Sequence, residues 1–348
     1  MNAPTASPTT DPAQIGSTVN TTDTQTAPPT GRAAAARQFV ARNDQVGVGL
    51  ALIALIVLMA MIAPYFWSVN NLLEVARQVS ATAIIAAGGT FVILTSGIDL
   101  SVGSALGVCA MVAIVVSDQG LPAIMSIVLA LIAGALIGAI NGIFVARFVL
   151  PAFIVTLAAL TYLRGVVYVG TDGTTLIPEN VAYSWIGQDS LLGVPYAVII
   201  MLVVFAGGWF LLNRTVFGRQ VYAIGGNAEA ARLSGIPVRR VVMMTYVISG
   251  LCAGIGGLIV ASRLESAVPD LGSGYELNAI AAIVLGGTSL MGGRGSLVGT
   301  LIGALFIAVL SNGMTLMNVQ SFYQQIIMGA VILLAVLIDS LRRRNQTT

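Results

Sequence analysis

The stretch LTSGIDLSVGSALG, Leu94–Gly107, interrupts two apolar runs with an acid, and its reading decides the fold. A carboxylate between two hydrophobic segments is costly in lipid, so it marks a functional or a locally paired position. Gly97 is suited to end the incoming helix, and Asp99 or Ser101 to cap the outgoing one. The segment reads as a break between two membrane helices. Asp99 and Ser101 are then either members of a capped turn with no further role or polar groups lining a path through the bundle.

The rest of the chain supports a membrane reading. Of 348 residues, 57% are hydrophobic and only 9% are charged, against roughly a quarter charged in soluble domains. All 16 basic residues are Arg, because the sequence has no Lys and no His. That excludes a phosphate-binding loop of the G-x-x-x-x-G-K type, Schiff-base chemistry and His-based catalysis or metal ligation. Cys109 and Cys252 lie in apolar runs and read as small buried hydrophobes. Energy for uphill movement would have to come from a gradient or from another subunit.

Residues 1–45, rich in Thr, Ala, Pro, Ser, Asn and Gln, read as a disordered cytoplasmic tail. From Val46 onward, apolar runs are expected to span near 46–66, 80–97, 102–117, 122–146, 152–170, 196–213, 241–262, 276–290, 296–312 and 322–339, the third and eighth being short for a bilayer of about 30 Å. With the N-terminus inside, Arg32, Arg37, Arg42, Arg147, Arg214, Arg219, Arg232, Arg239, Arg240, Arg294 and Arg342–Arg344 fall on the inner face. That bias favours an even number of spans and leaves Arg77 and Arg263 outside. The expected fold is an all-α polytopic membrane protein of about ten transmembrane helices, with cytoplasmic N- and C-termini and some helices broken. Its transmembrane domain covers 46–340 and contains a basic loop at 214–240, followed by a short basic cytoplasmic tail at 341–348. Gly134, Gly138 and Gly142, then Gly250 and Gly254, then Gly295, Gly299 and Gly303 recur at four-residue spacing and signal tight helix packing.

Within the basic loop, IGGNAEAARLSGIPVRR (Ile224–Arg240) reads as a short helix with a start and a stop. Asn227 is a good N-cap, and Glu229 lies in the first turn, where the dipole favours a negative charge. Gly235 follows the last turn, and Pro237 blocks continuation. The expected helix is Ala228–Ser234, with Ala230, Ala231 and Leu233 giving it small apolar sides and Arg232 a charge. Alone in water so short a helix does not hold, so it needs a surface to lie against, either its own bundle or a partner.

EAARLSG (Glu229–Gly235) resembles the start of the EAA-loop pattern of bacterial ABC-importer permeases, although the downstream residues of that pattern have no counterpart here. The resemblance implies that Asn227, Glu229, Ala230, Ala231, Arg232, Leu233 and Gly235 form the coupling helix that engages an ATPase subunit. LTSGIDLSVGSALG strongly resembles the Gly-Ile-Asp-Leu-Ser-Val-Gly signature of ribose-type monosaccharide ABC permeases. Further matches follow in NNLLEVARQVS, GAINGIFVARFVLPAFIVTLAALTYLRG, GRQVYAIGGN, AIAAIVLGGTSLMGGRGSLVGTLIGAL and FYQQIIMGAVILLAVLID, covering roughly Asn70–Asp339. The family implies an inner-membrane permease without catalytic residues or cofactor of its own. It works with a cytoplasmic ATPase of two nucleotide-binding domains, which binds the ATP, with an extracytoplasmic sugar-binding protein, and with a second, identical permease copy.

The candidate path residues are Asp99, Ser101, Asn141 and Arg164. Arg164 either snorkels to the outer interface or points inward to a hydroxylated solute, and Asn141 either bridges helices or lines the path. Asp99 and Arg294 lie in breaks assigned to the same face and could pair. Few intramembrane charges suit a neutral polyol. A nucleoside or branched-chain amino acid permease is the nearest alternative, and an ion-coupled secondary transporter is disfavoured by the lack of a relay acid besides Asp99.

Overall fold

The computed structural model describes residues 44–347. The tail expected over 1–45 lies, but for its last two residues, outside the described residues. Thirteen helices and one small hairpin follow: α1 (Asp44–Ile62), α2 (Val69–Leu94), α3 (Val102–Asp118), α4 (Ala123–Ala146), α5 (Ala152–Gly170), α6 (Trp185–Gln188), β1 (Ser190–Leu191), β2 (Val194–Pro195), α7 (Tyr196–Arg214), α8 (Val216–Gly226), α9 (Ala228–Leu233), α10 (Val238–Leu264), α11 (Tyr275–Leu285), α12 (Leu297–Leu316) and α13 (Ser321–Thr347). Six of them, α2, α4, α5, α7, α10 and α12, are long and apolar enough to cross a membrane, and α1, α3, α11 and α13 are shorter or shorter-run apolar helices. Each of the ten apolar runs read from the sequence is a helix. The protein is an all-α polytopic membrane protein.

Helix ends depart from the hydropathy reading where capping wins. α2 begins at Val69 rather than near 80, because Ser68 caps it, its hydroxyl accepting from the Asn71 N–H at 3.3 Å. The polar segment NNLLEVARQVS is thus helical although its hydropathy is low. α11 stops at Leu285 instead of 290, where Gly287 (φ 84°) takes the left-handed conformation and Thr288 donates to the Ile283 carbonyl. The backbone of α13 continues helical through 341–347, so the basic end of the chain prolongs this helix.

Burial divides the helices into two classes. α2, α10 and α12 are mostly buried, whereas α4, α5 and α7 show about a quarter of their apolar window to the interior and turn the rest outward, as lipid-facing helices do. α10 packs on α4, α2 and α3, while α12 packs on α11, α2 and α1. Two glycine series from the sequence prove to be one interface. A Cβ on Gly138 would overlap the Tyr246 carbonyl oxygen, one on Gly134 the Gly250 carbonyl, and one on Gly250 the Gly134 carbonyl, so α4 and α10 touch backbone to backbone. The third series meets α11 in the same way, Gly303 against Ala282 and Gly299 against Gly286.

Polar pairs pin the bundle further. Asn71 and Asn312 exchange amide hydrogen bonds of 3.1 and 2.8 Å between α2 and α12, and the Thr90 and Thr300 hydroxyls meet at 2.8 Å lower on the same pair. Arg77 and Arg263, assigned to one face by the charge bias, meet around one acid. Glu74 lies 2.8 Å from Arg263 and 3.9 Å from Arg77. The long acidic loop between α5 and α7 is folded onto this end of the bundle. It carries α6 and the hairpin, bridges Leu176 to Ala267, and buries Tyr183 completely.

Candidate functional site

Two places are built with more care than packing alone requires. The first is the break after α2. Its C-terminus is a Schellman turn in which Ser96 (φ 63°), not glycine, takes the left-handed position, Ser96 N–H donating to Ile93 and Gly97 N–H to Val92. Gly97 is required for room instead: a Cβ there would sit 2.8 Å from the Tyr246 hydroxyl. The chain then continues without regular structure to α3, whose N-cap residue Ser101 makes no side-chain capping bond.

In place of a cap, Asp99 and Ser101 enter a buried polar network. Ser101 donates to Asp99 Oδ1 from both its N–H (3.0 Å) and its hydroxyl (2.6 Å). Ser249 of α10 donates to Oδ2 at 2.8 Å, and Asn141 of α4 donates to the Ser101 hydroxyl at 2.8 Å. The carboxylate thus joins the start of α3 to α10 directly, and α4 is tied in through Ser101. The preceding carbonyl, Ile98, has the Thr156 hydroxyl 3.1 Å away and the Tyr246 hydroxyl at 3.5 Å.

Arg294 is not among the partners of Asp99, so the pair considered from the sequence does not form. Both carboxylate oxygens are already occupied by serine donors. Arg294 belongs to the glycine-rich loop 286–296, where its carbonyl accepts from the Ser289 N–H at 2.9 Å. Asn141 takes the helix-bridging role. Arg164 neither snorkels freely nor joins Asp99: its Nη1 donates to the Leu271 carbonyl at 3.1 Å, fixing the loop that leads into α11. Ser249, Tyr246 and Thr156 escaped the sequence reading, since a Ser, Tyr or Thr within an apolar run carries no local signal of the partner it will meet. Glu276 escaped it too. It looked like a residue at the edge of the eighth span, but it is buried at the start of α11, so Asp99 is not the lone acid within the bundle.

The second place is α9. Asn227 Oδ1 accepts from the Ala230 N–H at 2.9 Å, as the cap reading required. The helix ends one residue earlier than expected, at Leu233, in a Schellman turn. Gly235 (φ 82°) donates to Arg232, and Ile236 donates to Ala231. Ala231 is buried against the bundle, while Leu233 is 75% exposed. Glu229 and Arg232 pair outward at 2.6 Å, and the Arg232 hydrogen bond holds the Glu229 carboxyl below the usual Glu range. One side of the helix rests on its own protein, and the other presents an apolar residue and an ion pair to solvent.

A junction connects the two places. Ser96 donates to the Met291 carbonyl at 2.6 Å, and the Gly293 N–H donates to the Leu94 carbonyl at 3.0 Å. Gly225, two residues before the cap of α9, packs so closely on Leu94 that a Cβ would overlap its carbonyl. The end of α2, the loop 286–296 and the end of α8 thus form one knot, three residues from Asp99 and two from Asn227.

Comparison with known proteins agrees with this architecture. The family described as branched-chain amino acid transport system/permease component matches residues 71–336. The chain is 48% identical to the ribose import permease protein RbsC of Escherichia coli K12 over 295 residues, covering 84% of this chain and 92% of that one. It is 46% identical to the RbsC protein of Bacillus subtilis 168 over 298 residues, covering 85% and 92%. The xylose transport system permease protein XylH of E. coli K12 is 38% identical over 342 residues, covering 80% and 87%. No solved structure matches. With the family match running from the first turns of α2 into α13, and the relatives covered almost end to end, this chain belongs to the permease family of ABC transport systems that includes the ribose and xylose permeases.

Proposed function

We propose that the protein is the membrane-spanning subunit of an ATP-driven importer for a monosaccharide of the ribose type, acting in the inner membrane of a bacterium with both termini in the cytoplasm. The observation that carries this reading is 48% identity to a ribose import permease across 92% of that protein's length. The family description names branched-chain amino acids, whereas the near full-length relatives compared above are named for ribose and xylose.

In this reading α9 docks in a cytoplasmic ATPase with two nucleotide-binding domains, which binds and hydrolyses ATP. An extracytoplasmic sugar-binding protein delivers the solute, and two identical copies of the chain enclose the path. The permease itself holds no cofactor and performs no bond chemistry. Its task is mechanical. A displacement of α9 is transmitted through Asn227 to the end of α8 and into the knot at Leu94–Ser96. From there the segment 97–101 leads directly to the Asp99 network among α3, α4 and α10. Rigid helices joined by a tight backbone knot are the kind of connection that carries such a displacement.

The test is reconstitution of the chain in proteoliposomes with an ABC ATPase subunit and a monosaccharide-binding protein. Radiolabelled ribose is expected to accumulate only with all three components and ATP, and leucine and nucleosides are not. Accumulation by the isolated chain under an imposed ion gradient would overturn the reading.

A further inference from the structure

The three helices turned mostly outward are not alike. Through the middle of the membrane the outward face of α4 carries Ile132, Leu136 and Ile140, and that of α7 carries Leu202, Val203 and Phe210. Neither face shows a hydroxyl, an amide or a charge there, as contact with lipid requires. α5 breaks the pattern. Thr161 and Tyr162 are exposed at its midpoint, about 14 Å from either end of a 19-residue helix.

Thr161 satisfies its own helix, donating to the Leu157 carbonyl at 3.1 Å. Tyr162 is 47% exposed, and its hydroxyl has no partner among the described residues. Tyrosines of membrane helices belong at headgroup level, where ring and hydroxyl each find a suitable medium. Tyr168, two residues from the outer end of α5, obeys that rule. Tyr162 does not, because at mid-depth lipid would offer its hydroxyl nothing but hydrocarbon. The same side of the helix is open: a Cβ on Gly165 meets nothing within 4 Å. Arg164, half-buried about 18 Å along α5, bonds the Leu271 carbonyl and has no acidic partner among the described residues. A cation and an open hydroxyl at this depth belong beside water rather than lipid.

We propose that this face of α5 is a wall of the solute path, turned toward the second copy of the chain, and that Tyr162 is the residue on it that reads the solute. The solute is a neutral polyhydroxylated molecule. A phenol hydroxyl both donates and accepts, so it meets a solute hydroxyl of either sense. The ring lends an apolar surface to the C–H face of a sugar. Two copies place two such groups at one depth of the path. Each is uncharged and offers a single contact, which lets the solute leave as readily as it enters. The inference rests on the proposed reading of two permease copies moving a monosaccharide.

The experiment has two arms, both on the full complex in proteoliposomes. In the first, Thr161→Cys and Gly165→Cys are treated with a charged methanethiosulfonate on both sides of the membrane, with and without ATP. Leu136→Cys on α4 and Val203→Cys on α7 are the lipid-facing controls, and the native Cys109 and Cys252 are buried. Because only a hydrated thiolate reacts, the α5 positions should be labelled about tenfold or more faster than the controls. Equal rates overturn the proposal. In the second arm, Tyr162→Phe removes the hydroxyl alone. Uptake of radiolabelled ribose should fall about three- to tenfold, and its preference over a singly deoxygenated analogue should narrow. Unchanged uptake and preference overturn the proposal, and so does failure of this variant to assemble, which would make the hydroxyl structural. A wild-type complex that moves no monosaccharide refutes the proposed function, and this inference with it. One that moves ribose with α5 unlabelled refutes the inference alone.

Discussion

The Ser249 hydroxyl donates to Asp99 Oδ2 at 2.8 Å across 150 residues of chain, joining the middle of α10 to the break before α3. Ser101 fills the other oxygen and Asn141 in turn donates to Ser101, so loss of any one member leaves a buried group without its partner. The four side chains act as a unit that fixes how α3, α4 and α10 sit together.

Removing one end of that bond should destabilise the fold. Ser249→Ala is expected to lower unfolding free energy by about 1–2 kcal/mol, and Asp99→Ala by more, because it strands Ser101 and Ser249 together. Asp99→Asn should be milder, since its amide nitrogen can donate to the Ser249 oxygen. Thermal unfolding in detergent reads the order; equal melting temperatures for the Ala and Asn variants would contradict it.

The α4–α10 contact is expected to reject even one methyl group. Gly138→Ala places a Cβ into the Tyr246 carbonyl, one turn from Asn141, and Gly250→Ala into the Gly134 carbonyl. Each should cost about 1–3 kcal/mol through forced separation. By contrast Gly165→Ala, where the added carbon meets nothing within 4 Å, should be neutral. Detergent-solubilised yield and melting temperature discriminate the two classes.

The cap of α9 predicts a defect in coupling rather than in folding. Asn227→Ala removes the acceptor for Ala230 N–H and should weaken this helix by about 1 kcal/mol. Gly235→Ala forces a Cβ into the left-handed region at a cost of about 1–2 kcal/mol. Both variants should keep the melting temperature of the bundle yet transport fewer solute molecules per ATP hydrolysed. A normal ratio in both would remove α9 from the coupling path.

The Glu229–Arg232 pair gives α9 a pH dependence of known sign. Hydrogen bonding from Arg232 depresses the Glu229 carboxyl in the folded protein. The contribution is therefore present at neutral pH, above the unfolded value, and is lost as pH falls through the depressed one. Both groups are exposed, so about 1 M salt should screen much of it. A spin label near Leu233 should report mobility that rises on acidification, and this rise should vanish in Glu229→Gln.

At the opposite end, exchanging the charges of Glu74 and Arg263 together should restore most of what either single reversal loses. The pair is partly exposed at 2.8 Å, so a double-mutant cycle should return a coupling of about 0.2–1 kcal/mol.

Much of this protein is legible along the chain because lipid imposes a local rule: apolar runs must be helical, so all ten are placed by hydropathy alone. Caps are local as well, and Asn227, Gly235 and Pro237 bound α9 to within a residue. Hydropathy misplaces the start of α2, since backbone hydrogen bonding continues through polar residues outside its apolar run.

What only the tertiary structure decided is who meets whom. The sequence shows glycine series on three helices, but not that two of them close on each other. It shows Asp99 and Arg294 in breaks on one face, yet Asp99 is satisfied by the uncharged hydroxyl of Ser249 from the middle of α10. It shows Glu276 at the edge of an apolar run, and the folding back of loop 265–274 carries that edge inside the bundle. Hydrophobicity is a property of a residue and its near neighbours, whereas the partner of a buried polar group depends on which helices pack, and at what height.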